Sequence, residues 1–321
     1  MGRVRGETGS LGWFLRFRDR INLNVIDAAA KKPVLLALSG PLAPQLAGSL
    51  DPDQSAPEGT LRVFGSLAEA QKQSAAHCVL YAGEPGETVS PQAASRPVFF
   101  IERAPAGSQA HSGDVGSPSG NGRALRHYRL VDWSAGELRK RLLPEIVAEH
   151  AGSEVALAAA LPLFRASVAN KLTDDCAMRS LQVAAASALA DHVPIIGLLT
   201  GGIASATDTV AITGMQINML LHIAAAYGKK PEFARILELV PVIGGGYAWR
   251  ALARELSGFI PVAGVVIKAA VAYAGTFVVG QAAAHYYETG NPMTSDKITA
   301  MYREAGSGAR RIVQDLLLRR K

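Results

Sequence analysis

A chain of 321 residues is long enough for two domains that each bury a core. Hydrophobic residues make up 49% and aromatic residues only 6%, so the apolar mass is mostly Ala, Val, Leu and Ile, which suits helices packed closely through small side chains. Cys78 and Cys176 lie far apart with no CxxC pair, which excludes a disulfide scaffold and fits a reduced, cytosolic chain.

The net charge of +6 gathers at the two ends. Residues 1–32 carry Arg3, Arg5, Arg16, Arg18, Arg20, Lys31 and Lys32, and the end carries Lys297, Arg303, Arg310, Arg311, Arg319, Arg320 and Lys321. Such ends suit an anionic membrane surface or serve only to keep the chain soluble. No nucleic-acid motif accompanies them, so no nucleic-acid partner is expected. Residues 11–30 read as a basic amphipathic helix, with Trp13, Phe14, Phe17, Ile21 and Val25 near helical spacing. The arginines among them argue against a signal peptide, and Gly6 argues against myristoylation.

From Pro33 to about His150 short strands alternate with helices, the pattern of a small, mostly parallel α/β sheet. Strands are predicted at 34–38, 61–64, 78–81, 97–101 and 128–131, with helices at 41–50, 67–76 and 134–149. Ser134, with Glu137 three residues on, has the spacing of a helix N-cap. Between Arg103 and Arg126 the composition falls to Gly, Ser, Ala and Pro, which reads as a flexible loop.

The stretch SGPLAPQLAGSL (39–50) follows the first strand where a phosphate loop would sit. A working loop needs GxxxxGK[ST], but Gln45, Leu46 and Ala47 stand at the Gly, Lys and Ser/Thr positions after Gly40. Pro41 and Pro44 remove two amide donors as well. The order of elements nevertheless resembles a small Ras-like or Era-like GTPase. CVLYAG (78–83) stands where a DxxG switch would follow, VFFIER (98–103) where NKxD would, and RLVDWSAGELRKRLLPEI (129–146) resembles the closing strand and last helix. The resemblance implies a degenerate, pseudo-GTPase-like domain with no nucleotide motif intact. The seven histidines show no HxxH or HExxH spacing, no GxSxG occurs, and His77 and Cys78 are adjacent and so point to opposite faces of a strand. No catalytic residue, cofactor or metal ligand is assigned, and nothing in the pattern supports an enzyme.

After about Gly152 the chain turns to Ala-rich helical segments. Val193–Tyr227 contains a single formal charge, Asp208, and Ser257–Tyr287 a single one, Lys268. Both stretches open with Pro-x-x-Gly (VPIIG, IPVAG) and end in Tyr soon followed by Gly, a weak repeat that suggests two apolar hairpins. Each is long enough to cross a membrane, and each also suits a buried bundle. Asp208 and Gln216 share a helix face, as do Lys268 and Thr276. A charge within an apolar helix is costly unless paired, so Asp208 and Lys268, or their polar neighbours, are expected to meet inside the helical domain. Gly280 is one of several glycines that would let helices approach closely.

TGMQINMLLHIAAAYG (213–228) resembles the T-x-x-Q-x-x-M-x-x-x-I-A-x-x-Y-G run of domain-of-unknown-function family 697, the helical module of YcjF-like proteins that is appended to Era-like GTPases. Thr213, Gln216, Met219, Ile223, Ala224, Tyr227 and Gly228 carry it. GGGYAWRALARELSGFIPVAG (244–264), with Gly246, Arg250 and Arg254, resembles the next element. AYAGTFVVGQAAAHYYETG (272–290), with Tyr273, Thr276, Gly280, Tyr287 and Gly290, resembles the last. The resemblance covers residues 153–290 and implies a membrane-associated or GTPase-associated protein with no reaction to carry over.

The expected organisation is a basic N-terminal helix (1–32), a degenerate GTPase-like α/β domain (33–151) with its loop at 103–126, and an all-α domain (152–321) with two apolar hairpins and a basic tail. Asp208, Thr213, Gln216, Tyr227, Arg250, Arg254, Lys268, Tyr273 and Thr276 are the candidate interaction or structural polar residues. The expected function is a non-catalytic regulatory or scaffold protein on the cytoplasmic side of a membrane, peripheral or integral. Its partner would be another protein, a GTPase or a second copy. An atypical nucleotide-binding protein, an oligomeric membrane-inserting assembly and a soluble cytoplasmic location are the alternatives.

Overall fold

A computed structural model describes residues 21–87, 96–103, 125–190, 203–243 and 264–318. Residues 11–20 of the predicted basic helix, the loop at 104–124, the segment 193–197 and residues Arg250 and Arg254 lie outside the described residues. The chain divides into two compact units: an α/β unit of 28–171 with 226–228, and a helical unit of 1–27, 172–225 and 229–321.

Helix α1 (Leu23–Ala30) leads into strand β1 (Leu35–Ser39), followed by α2 (Ala43–Leu50), β2 (Leu61–Val63), α3 (Leu67–Gln71) and β3 (Ala76–Gly83). Strands β4 (Val98–Arg103) and β5 (Leu125–Leu130) complete a five-stranded sheet of order β2-β1-β3-β4-β5. Every pairing is parallel, with Leu36 beside Leu61, Leu38 beside Leu80, and Phe100 beside His127. Arg103 and Arg126, predicted as loop ends, therefore belong to strands.

Strand β1 is buried along its whole length, as a parallel strand covered on both faces must be. Leu35, Ala37 and Val79 pack with Phe64 and Ala70 of the α3 side, while Leu36 and Leu38 point the other way and are fully buried. Right-handed crossovers put α2 and α3 on opposite faces. Ser66 Oγ accepts from Glu69 N at 3.2 Å and so starts α3, which ends at Gln71 because Ala76 already belongs to β3.

The predicted helix 134–149 is two helices, α4 (Ala135–Arg141) and α5 (Leu143–Glu149), with Ser134 Oγ capping the first by accepting from Glu137 N at 3.4 Å. They part at Leu142 because Pro144 has no amide to continue the ladder. Helix α6 (Glu154–Ala160) and a single 3₁₀ turn (Pro162–Phe164) lead into α7 (Arg165–Ala190). The division between the units falls inside α7, so 152–171 pack with the sheet although their composition matches the helical half.

Helices α8 (Ile203–Ala226), α9 (Phe233–Ile243), α10 (Gly264–Thr289) and α11 (Ser295–Leu318) complete the order. Among the described residues each apolar stretch contributes one long helix. Whatever would complete each hairpin lies outside the described residues. Helix α11 buries Ile298, Tyr302, Ala309 and Val313 at helical spacing and exposes Lys297, Arg303 and Arg311. Its buried stripe packs along α10: Ile298 and Tyr302 meet Ala274 and Val278, and Ala309 and Val313 meet Ala269 and Ala270.

Candidate functional site

In a parallel sheet of this order ligands bind outside the carboxyl ends of the strands, at the reversal between β1 and β3. Gly40 follows β1 with φ +98°, and a Cβ there would lie 2.4 Å from the Ala82 carbonyl oxygen. The turn is thus pressed against the end of β3. Leu42 N donates to that same Ala82 oxygen at 3.0 Å, Ala43 N to Gly40 O at 3.1 Å, and Gln45 N and Leu46 N to Leu42 O at 3.1 Å. Pro41 and Pro44 have no amide. Every amide from 41 to 46 that a phosphate would need is either missing or bonded to the chain's own carbonyls.

The carboxylates along this edge are occupied in the same way. Glu102, at the end of β4, is 1% exposed. Its Oε1 accepts from Arg129 Nε and its Oε2 from Gly86 N at 3.3 Å, with His127 Nε2 at 3.5 Å. Burial pushes its carboxyl up, but the Arg129 and Gly86 hydrogen bonds and the adjacent His127 and Arg129 outweigh that and hold it below the usual range. Glu87 accepts from Tyr81 Oη at 2.5 Å and from Glu84 N at 3.1 Å. The Glu102 carboxylate is thus bonded to β5 and to the turn between β3 and β4.

The predicted polar residues fall mostly in the helical unit. Gln216 of α8 donates from Nε2 to Thr276 Oγ1 at 2.9 Å, and Thr276 of α10 donates to Ser180 Oγ of α7 at 3.0 Å. One hydrogen-bonded chain therefore crosses three helices. Lys268 Nζ donates to Ser187 Oγ at 2.9 Å. Asp208 lies on α8, but its side chain lies outside the described residues, as do Arg250 and Arg254 entirely. Thr213 is half-buried on α8. Tyr273 stacks on Phe277, one turn along α10, with ring centroids 6.1 Å apart.

Tyr227 is buried in the α/β unit, with the Arg165 guanidinium 5.8 Å from its ring centre. Gly228 at φ +73° ends α8, and Lys229 N closes the end by donating to Ala224 O at 2.9 Å. The Tyr-then-Gly endings of both stretches are thus helix terminators, Gly290 having φ +72°.

The partners on α7 went unread in the sequence. Thr173, Ser180 and Ser187 are seven residues apart and meet Gly280, Thr276 and Lys268 in falling order, so α7 and α10 run antiparallel along a hydroxyl seam. The seven-residue spacing was the available signal. A second missed link joins α9 to α10, where Glu238 accepts from Arg235 Nη1 at 2.6 Å and from Tyr286 Oη at 3.0 Å.

His77 is exposed and Cys78 fully buried, and burial pushes the Cys78 thiol up, so it is held as the unreactive thiol. Among the described residues no three His, Cys, Asp or Glu side chains converge as metal ligands do.

Set against family models, curated proteins and solved structures, the chain matches none of them. The likeness to family 697 rests on the residues quoted for it.

Proposed function

We propose that the chain is a non-catalytic, membrane-associated regulatory or scaffold protein whose α/β unit is a degenerate GTPase-like domain. Its helical unit engages a protein partner, a GTPase or a second copy. The observation that carries this reading is the turn at 40–46, where the amides that would hold phosphate are bonded to Ala82, Gly40 and Leu42 or replaced by proline. A ligand phosphate would have to break those bonds before making its own. Equilibrium titration of the full chain with GTP and with ATP, each with Mg²⁺, tests it. No saturable binding is expected up to millimolar nucleotide, and a saturable isotherm overturns the reading.

The membrane part of the proposal rests on α10 and on the basic ends. The most apolar 18-residue part of Val265–Thr289 has a mean hydropathy of 1.5, and 44% of it is buried. Helices packed on it carry exposed charges, Asp174, Asp175 and Arg179 on α7 and Lys297, Arg303 and Arg311 on α11. Placing α10 in lipid would either drag those charges in or strip away its hydroxyl seam. Peripheral attachment at the cytoplasmic face, through positive charge, is the form of membrane association that this packing favours.

A further inference from the structure

At the amino-terminal edge of the sheet, opposite the closed turn, lies a cleft of about 580 Å³, within the range of small-molecule sites. Ala156, Ala159 and Ala160 of α6 form one wall and, at i, i+3 and i+4, share a helix face. Their methyl groups leave open the volume that longer side chains would fill. Val34 and Leu35, at the entry to β1, form the cleft's largely buried floor. Among the described residues no aromatic ring lines the cleft, so they offer nothing on which a base or an indole would stack. Its charged lining residues are all exposed: three cations, Lys31, Lys32 and Arg62, against one carboxylate, Glu58.

We propose that this cleft binds an aliphatic carboxylate, a medium-chain fatty acid. Its alkyl chain lies along the alanine face and its carboxylate faces Lys32 and Arg62. Aliphatic walls recognise a saturated chain by area removed from water. The excess of cations selects an anionic head over a neutral one. The site is independent of the turn at 40–46 and of the membrane reading.

Decanoate labelled at its carboxyl carbon, titrated below its micelle concentration into the full chain and followed by NMR, tests the proposal. Saturable one-to-one binding is expected, with decanol at least roughly tenfold weaker. Ala159→Phe is expected to abolish binding by filling the cleft. The surface variant Lys32→Glu is expected to weaken binding by roughly tenfold or more while leaving the thermal unfolding midpoint unchanged. That variant decides the matter if Ala159→Phe fails to fold. The proposal is overturned by non-saturable binding to the natural chain, by decanol binding as tightly as decanoate, or by unchanged affinity in the charge-reversed variant.

Discussion

At Gly280 an added Cβ would lie 2.2 Å from Thr173 Oγ1, 2.7 Å from its Cγ2 and 2.9 Å from its Cβ. Thr173 is too short and too deeply buried to swing away, so Gly280→Ala must push α7 and α10 apart. Such overpacking costs about 1–3 kcal/mol, read as a lower urea midpoint at unchanged slope. His150 sets a second residue-scale expectation. It is fully buried, its Nδ1–H donates to Ile146 O at 2.8 Å, and its ring centre lies 4.8 Å from that of His77. Burial, aided by His77 and opposed by the Ile146 bond, takes its pKa down to about 4. Unfolding returns it to about 6.5, so between those values the unfolded chain binds a proton that the folded chain does not. Stability from this group is therefore complete above about pH 6.5 and declines as pH falls towards 4, by roughly 3 kcal/mol in all. Urea titrations across that pH window should show the decline, and His150→Leu should flatten it.

The chain Gln216–Thr276–Ser180 belongs to the scale of elements, because it fixes which parts of α7, α8 and α10 face one another. Thr276→Val keeps the shape but leaves the Gln216 amide and the Ser180 hydroxyl without that partner. A loss of about 1–3 kcal/mol in unfolding free energy is expected. Adding Gln216→Leu should cost less than the two single losses summed, since both act on one bond. Additive losses in chemical denaturation would show that the groups are not coupled. Helix α10 is apolar enough on every side to read as a membrane span, and hydropathy does not register hydroxyls that meet across a seam. The seven-residue spacing of Thr173, Ser180 and Ser187 is visible in the sequence, yet its meaning comes only from Gly280, Thr276 and Lys268 opposite.

Across the whole molecule, charge and apolar surface are the terms that set location. At about 1 M salt the Debye length shrinks to about 3 Å, so attachment through exposed Lys and Arg should fail there. Membranes from cells expressing the full chain are expected to release it into a high-salt or alkaline carbonate wash. Retention through the carbonate wash would instead mean that α10 enters the bilayer. The division of the chain at Lys171 and Leu172 also belongs to this scale. Residues 152–171 share the helical, Ala-rich character of the second half, but Val155, Leu157 and Phe164 are buried within the α/β unit.

The sequence by itself determined the alternation of strands and helices, the parallel sheet, the helical second half and the absence of a GxxxxGK[ST] pattern after β1. Those features come from local chemistry: apolar runs bounded by Pro and Gly, a Ser134 cap, and prolines at 41 and 44. Only the tertiary structure decided the strand order, the break at Leu142 within one predicted helix, and the destination of each polar group. A hydroxyl or carboxylate has the same appearance in sequence whether it faces water, a ligand or its own backbone. Glu102 turned to Arg129, Leu42 N to Ala82 and Thr276 to Ser180 because buried polar groups must find partners, and those partners come from distant parts of the chain.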